Sequence, residues 1–158
     1  MQIREIQIKD NAAVEKIIKE TLMEFDAAVP GTAFMDKSIT NMFDAYQTRK
    51  SAYFVADDDG DIVGGCGISP LKGDSTNTAE LQKMYIAKSH RGKGIGKQLL
   101  KSCMNYAKKQ GYSGIYLETL PSMKIAGTLY QKAGFKFLSE KMGETGHSTC
   151  HVWMYKKL

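Results

Sequence analysis

From residue 80 to residue 97 the chain reads Glu-Leu-Gln-Lys-Met-Tyr-Ile-Ala-Lys-Ser-His-Arg-Gly-Lys-Gly-Ile-Gly-Lys. A strand-like run passes through glycines directly into a helix, whose apolar positions are Ile95, Leu99, Leu100, Cys103, Met104 and Ala107. A strand that turns straight into a helix needs a sheet with helices packed on it, which restricts the fold to a mixed α/β class. The same corner has chemistry. The first turn of a helix has N–H groups without partners, and the helix dipole adds positive potential there, so an anion is favoured. Gly92, Gly94 and Gly96 permit close approach of the backbone to phosphate oxygens, and Arg91, Lys93 and Lys97 add cationic charge. The segment Arg91, Gly92, Lys93, Gly94, Ile95, Gly96, Lys97 therefore reads as a diphosphate site.

Around this corner the pattern predicts an opening strand at Ile3–Ile8 and an amphipathic helix over 11–28 behind Asp10-Asn11. Pro30-Gly31 breaks it, and Asp36 or Ser38 starts a second helix with Ile39, Met42, Phe43 and Tyr46 inward. Residues 52–56 and 62–69 read as a hairpin around Asp57-Asp58-Asp59-Gly60-Asp61, with a primed turn. Gly64, Gly65 and Gly67 in the return strand mark a bulge or a close backbone approach. Strands at 79–87, 114–119, 135–138 and 149–156 alternate with helices at 94–109 and about 121–133. Written out, the order is βααββββαβαββ, give or take one strand. This is an α/β (α+β) domain with a mixed sheet and helices on both faces.

The 158 residues, 42% hydrophobic and 25% charged, suit one domain spanning 1–158 with its own core. A net charge of +5 suits an anionic ligand, but equally a nucleic acid. The basic residues scatter without interleaved aromatics, so no nucleic-acid partner is expected. Cys66, Cys103 and Cys150 make no disulfide framework, and no segment suggests a secretion signal or a membrane span. The expectation is a cytoplasmic protein.

The diphosphate loop fails two familiar patterns. A phosphate-binding Walker loop ending at Gly96-Lys97 would need Gly at 91 and Ser or Thr at 98, where Arg and Gln stand. A dinucleotide fingerprint would need a sixth-position Gly at 97 or 99, where Lys and Leu stand. Arg-x-x-Gly-x-Gly instead resembles the acetyl-CoA signature of the GNAT superfamily of N-acetyltransferases. Leu81–Ile86 is similar to that family's fourth strand, Tyr116–Thr119 to its fifth, and Ala126-x-x-Leu-Tyr-x-Lys-x-Gly-Phe135 to its closing helix and next strand. The motifs cover residues 79–137; residues 1–70 fit in element order. One departure is Met123, where many members carry an Asn that helps hold the pantetheine; Ser122 is a partial substitute.

The resemblance implies a mostly antiparallel sheet of about seven strands in which the family's fourth and fifth strands splay. It implies acetyl-CoA as cosubstrate, no metal, an amine acceptor that is a small molecule or a peptide, and a possible homodimer. Backbone groups of Met84, Tyr85 and Ile86 would pair with the pantetheine and thioester, Ile86 supplying the donor to the carbonyl oxygen. Tyr130 matches the leaving-group tyrosine, although the same residue fits a core position on an amphipathic helix. Glu80 matches the general base of histone-type members; Glu118 and a water relay are the competitors. Without turnover, the same fold would be an idle acyl-CoA sensor.

Other residues carry weaker signals. His147, Cys150 and His151 supply three soft ligands with no second cluster to complete a zinc site, leaving a pocket-lining role or plain filler. Glu20, Glu24 and Asp26 read either as an acidic acceptor side or as a solvated helix face.

Overall fold

The computed structural model describes residues 1–158. Its strands are β1 (Gln2–Glu5), β2 (Ala52–Asp58), β3 (Asp61–Pro70), β4 (Thr78–Ile86), β5 (Gly114–Thr119), β6 (Lys136–Phe137) and β7 (Val152–Lys157). Its helices are α1 (Asn11–Glu24), α2 (Met42–Ala45), α3 (Ile95–Lys109) and α4 (Lys124–Lys132). The seven strands lie in the order β1-β2-β3-β4-β5-β7-β6. Every neighbouring pair is antiparallel except β4 and β5, which run parallel. The order is βααβββαβαββ, within the one-strand margin of the sequence pattern.

Side-chain alternation along the strands builds two cores. On β2, Ala52 and Ala56 face α3 and α4, while Tyr53 and Val55 face α1 and α2. The first core holds Leu99, Leu100 and Cys103 of α3 against Ile68, Ile115 and Leu117 of the sheet. The second holds Val14, Ile18 and Leu22 of α1 with Ile39, Met42 and Tyr46. Helices on both faces leave the central strands no solvated side.

The hairpin turn is of the primed kind: Asp59 and Gly60 have φ of 52° and 102°, and Asp57 Oδ1 accepts the Gly60 N–H at 2.7 Å. The expected second helix is instead two 3₁₀ turns, Ala33–Met35 and Lys37–Thr40, followed by the single turn α2. Local caps explain this. The Thr32 hydroxyl accepts the Phe34 N–H, and Asn41 Oδ1 accepts the Asp44 N–H, so the backbone is restarted twice within ten residues. α1 stops at Glu24 because Asp26 adopts φ 53° and the Ala27 N–H returns to Leu22 O at 2.7 Å, a Schellman-type close. Residues 138–151 form an extended loop, so β7 starts at Val152 and not at 149. α4 begins at Lys124; Pro121 belongs to the preceding turn, where Met123 N–H bonds Leu120 O.

The glycines of β3 report a bulge. Gly65 pairs with Tyr85 and Gly67 with Gln82, so β4 carries one extra residue between those pairs. Lys83, with φ 50°, sits within it. The bulge also reverses the parity of β4. Ala79 and Leu81 face the α3 side before it, and Met84 and Ile86 face the α3 side after it. Gly65 and Gly67 are required because the rings of Tyr53 and Tyr46 occupy the space of their missing Cβ atoms.

Candidate active site

β4 and β5 pair only from Thr78–Gly114 to Leu81–Leu117. The bulge begins at the next residues of β4, and a bulge bends its strand. From Gln82 onward the two strands are no longer bonded to each other, and a gap opens in the centre of the sheet. Ala87 N–H donates to Val63 O at 2.9 Å, so strand alternation turns the N–H groups of Met84 and Ile86 away from β3, toward the gap. A cleft occupies this opening, lined among others by Glu80, Gln82, Lys83, Met84, Tyr85, Glu118 and Tyr130.

The gap decides which residues can meet. Glu80 projects from β4 on the face opposite Ala79 and Leu81, the face that carries α1 and Tyr46. Tyr130 projects from α4 and belongs to the core on the other face. In a continuous sheet these two side chains would be separated by backbone; here both line the same cleft.

Glu80 is 4% exposed. Its Oε2 accepts a 2.6 Å hydrogen bond from Gln82 Nε2. The Gln82 carbonyl in turn accepts from the Tyr46 hydroxyl at 2.7 Å and from Ser69 Oγ at 3.1 Å, which fixes the orientation of the amide. Burial pushes the Glu80 pKa up to about 7, against the Gln82 hydrogen bond and the charge of His147. Glu118 lines the same cleft, but its two oxygens are taken by the Tyr116 hydroxyl at 2.7 Å and Thr145 Oγ1 at 2.8 Å. Burial raises the Tyr130 phenol well above its usual 10, so it keeps its proton throughout the neutral range.

The glycine-rich corner lies at the end of β4, as the sequence implies. The amides from Gly92 to Lys97 donate to no protein group, and Gln98 is the next that does, to Gly94 O at 3.2 Å. Gly92 and Gly94 have φ of 77° and 79°, and added Cβ atoms would meet nothing, so their requirement is backbone conformation. Gly96 answers to packing instead: a Cβ there would lie 3.1 Å from Leu129 and 3.2 Å from Ile86. Ile95 is buried, so only its amide is available, whereas Lys93 and Lys97 are exposed. Arg91 is placed differently from the expected phosphate cation. Its Nε donates to Ile86 O at 2.9 Å, its Nη1 pairs with Glu24 at 3.0 Å, and its guanidinium lies 5.5 Å from the Phe25 ring. The side chain ties the loop to α1, and Glu24 is thereby committed to Arg91 and Lys88 rather than to the cleft. A row of free amides at a helix start, flanked by two exposed lysines, is an arrangement that binds an anion.

Three cleft features add to the sequence reading, which offered His147 only as pocket lining or filler. Lys83 pairs with Asp36 Oδ2 at 3.0 Å, His147 Nε2 reaches the same oxygen at 3.0 Å, and Gln82 anchors Glu80. His147 and Cys150 both line the cleft, although they come from a loop and not from a strand. Burial raises the Cys150 thiol to about 11, so it stays protonated. No three His, Cys, Asp or Glu side chains gather as a metal ion would need.

Comparison with known proteins agrees with this geometry. Residues 16–135 match the model of the acetyltransferase (GNAT) family. The chain is 35% identical over 157 residues to the uncharacterized N-acetyltransferase YjgM of Escherichia coli (strain K12), covering 99% of this chain and 94% of that one. It is 32% identical to human N-acetyltransferase 8B over 82% of this chain, and spans 57% of that protein's length. Among solved structures, a GNAT-family acetyltransferase from Staphylococcus aureus Mu50 superposes with a TM-score of 0.86 at 23% identity, covering 99% of this chain and 98% of that one. YncA of Salmonella typhimurium, solved with its cofactor acetyl-CoA, gives 0.77 at 20% identity, covering 100% and 94%. The fold, the opened β4–β5 pair and these relatives lead to one assignment: the chain belongs to the GNAT family and is an acetyl-CoA-dependent acyltransferase.

Proposed function

We propose that one domain transfers the acetyl group of acetyl-CoA directly to a primary amine, both substrates being held together in the cleft between β4 and β5. The reading rests on one observation above all: Glu80 and Tyr130, from opposite faces of the sheet, line that cleft together. Amides 92–97 hold the diphosphate, and the free N–H groups of Met84 and Ile86 bond the pantetheine arm and the thioester oxygen.

The chemistry then divides among named groups. An ammonium has no lone pair, so the acceptor must lose a proton before it attacks. Glu80 takes that proton, directly or through one water, on its Oε1, since Oε2 is engaged by Gln82. The amine nitrogen bonds the acetyl carbon while the Ile86 N–H stabilises the negative oxygen. The carbon–sulfur bond breaks, the thiolate takes its proton from the Tyr130 hydroxyl, and the second proton, shed by the nitrogen as the amide forms, restores the Tyr130 phenol. Glu118, with both oxygens occupied, is a poorer base than Glu80. The neutral thiol of Cys150 supports direct transfer over an acyl-enzyme.

Thiol release from acetyl-CoA, measured over a broad amine panel, tests this. Tyr130→Phe lowers turnover by about tenfold or more, as does Glu80→Gln, with coenzyme A binding retained. Unchanged turnover removes the substituted residue from the mechanism. Binding of coenzyme A without acetylation of any amine would instead favour an acyl-CoA sensor.

A further inference from the structure

Beside Glu80 the cleft holds a second charged group. Lys83, in the β4 bulge, has a side chain only 7% exposed, and its ammonium meets Asp36 Oδ2 at 3.0 Å. His147, from the loop before β7, meets Asp36 through Nε2 at 3.0 and 3.2 Å. The hydrogen bond and charge of Asp36 raise the His147 pKa above 6.5, so the trio consists of two cations on one carboxylate when His147 is protonated. Lys83 and His147 line the cleft, and Asp36 does not. One oxygen of Asp36 serves both. An ammonium has three donors, and Asp36 is the one acidic partner this ammonium has. Asp36 takes one of the Lys83 donors, which leaves the others for an anionic group entering the cleft. Glu80 and Glu118 share the cleft with the two cations, but neither carboxylate bonds to them: Glu80 is held by Gln82, and Glu118 by Tyr116 and Thr145.

We propose that Lys83 and His147 form a subsite for a carboxylate on the acceptor, so that the preferred acceptors are primary amines bearing a carboxylate close by, as free α-amino acids do. This deepens the proposed function and rests on Glu80 as the base of the same cleft. An α-amino acid presents its ammonium to Glu80 and its carboxylate to the two cations, so each charge meets its opposite. A diamine would set its second cation against Lys83 and is disfavoured by repulsion.

The test compares kcat/KM for matched sets: an α-amino acid, its methyl ester and the amine left by removing the carboxyl group. The free acid is favoured by roughly ten- to hundredfold, the range of a charge-assisted hydrogen bond. In Lys83→Met that advantage over the ester collapses, chiefly through KM. His147→Gln, which keeps a donor toward Asp36, reduces it less and stands in if Lys83→Met fails to fold, as judged by coenzyme A binding. Esters or simple amines acetylated as well as the acids overturn the proposal. So does an acid preference that survives both substitutions, or a failure to acetylate any amino acid. If Glu80→Gln has no effect on any acceptor while acids remain preferred, the base assignment fails and the subsite stands.

Discussion

Glu80 is where stability and chemistry oppose each other most directly. Its carboxyl has a pKa of about 7 in the fold against 4.5 for an ordinary glutamate, because burial disfavours the charge. The folded state holds the proton more tightly than the unfolded chain does. Its favourable contribution is therefore complete below pH 4.5 and is lost as pH rises through about 7. A pKa rise of this size corresponds to roughly 3 kcal/mol above pH 7. Glu80→Gln is accordingly expected to be more stable than the wild type at pH 8, by up to roughly 3 kcal/mol, and equal to it near pH 4. Denaturant unfolding at the two pH values measures this. The same carboxyl must be ionised to act as base, so kcat/KM rises with pH through about 7. The Gln82 hydrogen bond holds the pKa down. Gln82→Leu therefore moves that limb to higher pH, a change that simple loss of packing does not produce. Glu80 was legible in the sequence only through its distance from the loop motif. Gln82 and Asp36 were not, and His147 only as one of two readings, because 36, 82 and 147 converge through a bulge and two irregular loops that carry no periodic signal.

At the scale of elements, the bulge in β4 does the most. It ends the pairing with β5, reverses the facing of Met84 and Ile86, and brings Lys83 into the cleft. Its sequence trace was the glycine cluster of β3, which signals an irregularity without saying which strand carries the extra residue. Gly67 connects the bulge to the site. A Cβ at 67 would overlap the Tyr46 hydroxyl, which holds Gln82 and through it Glu80. Gly67→Ala is expected to lower kcat more than it weakens coenzyme A binding, and steady-state kinetics beside a calorimetric titration separates the two. The phosphate corner behaves in the opposite way. Gly94 has φ 79°, where an L side chain costs about 1–2 kcal/mol. Gly94→Ala therefore weakens coenzyme A binding by about five- to thirtyfold, with less effect on kcat once the enzyme is saturated. The corner was the most legible part of the molecule because its function needs a local sequence: glycines for left-handed backbone, then a helix start.

For the whole molecule, the gap in the sheet is where the two cores meet. α3 and α4 pack on one face and α1 with α2 on the other, and β4 and β5 part between them. A cosubstrate bound along the gap replaces the missing β4–β5 contacts. Coenzyme A at a hundredfold excess over its Kd adds about 2.7 kcal/mol, which for a chain of this size raises Tm by roughly 5–10 °C. The succession of strands and helices, within one strand, and the helices on both faces were readable from periodicity, whereas the second helix and the start of β7 were not, because side-chain caps and loop hydrogen bonds decided them. A crystal structure of the protein with coenzyme A tests the central claim most directly. The expected result is a diphosphate bonded by amides within 92–97 and a thiol sulfur between strands β4 and β5, within hydrogen-bond reach of the Tyr130 hydroxyl. A diphosphate bound elsewhere, or a sulfur outside the cleft that holds Glu80 and Tyr130, would contradict it.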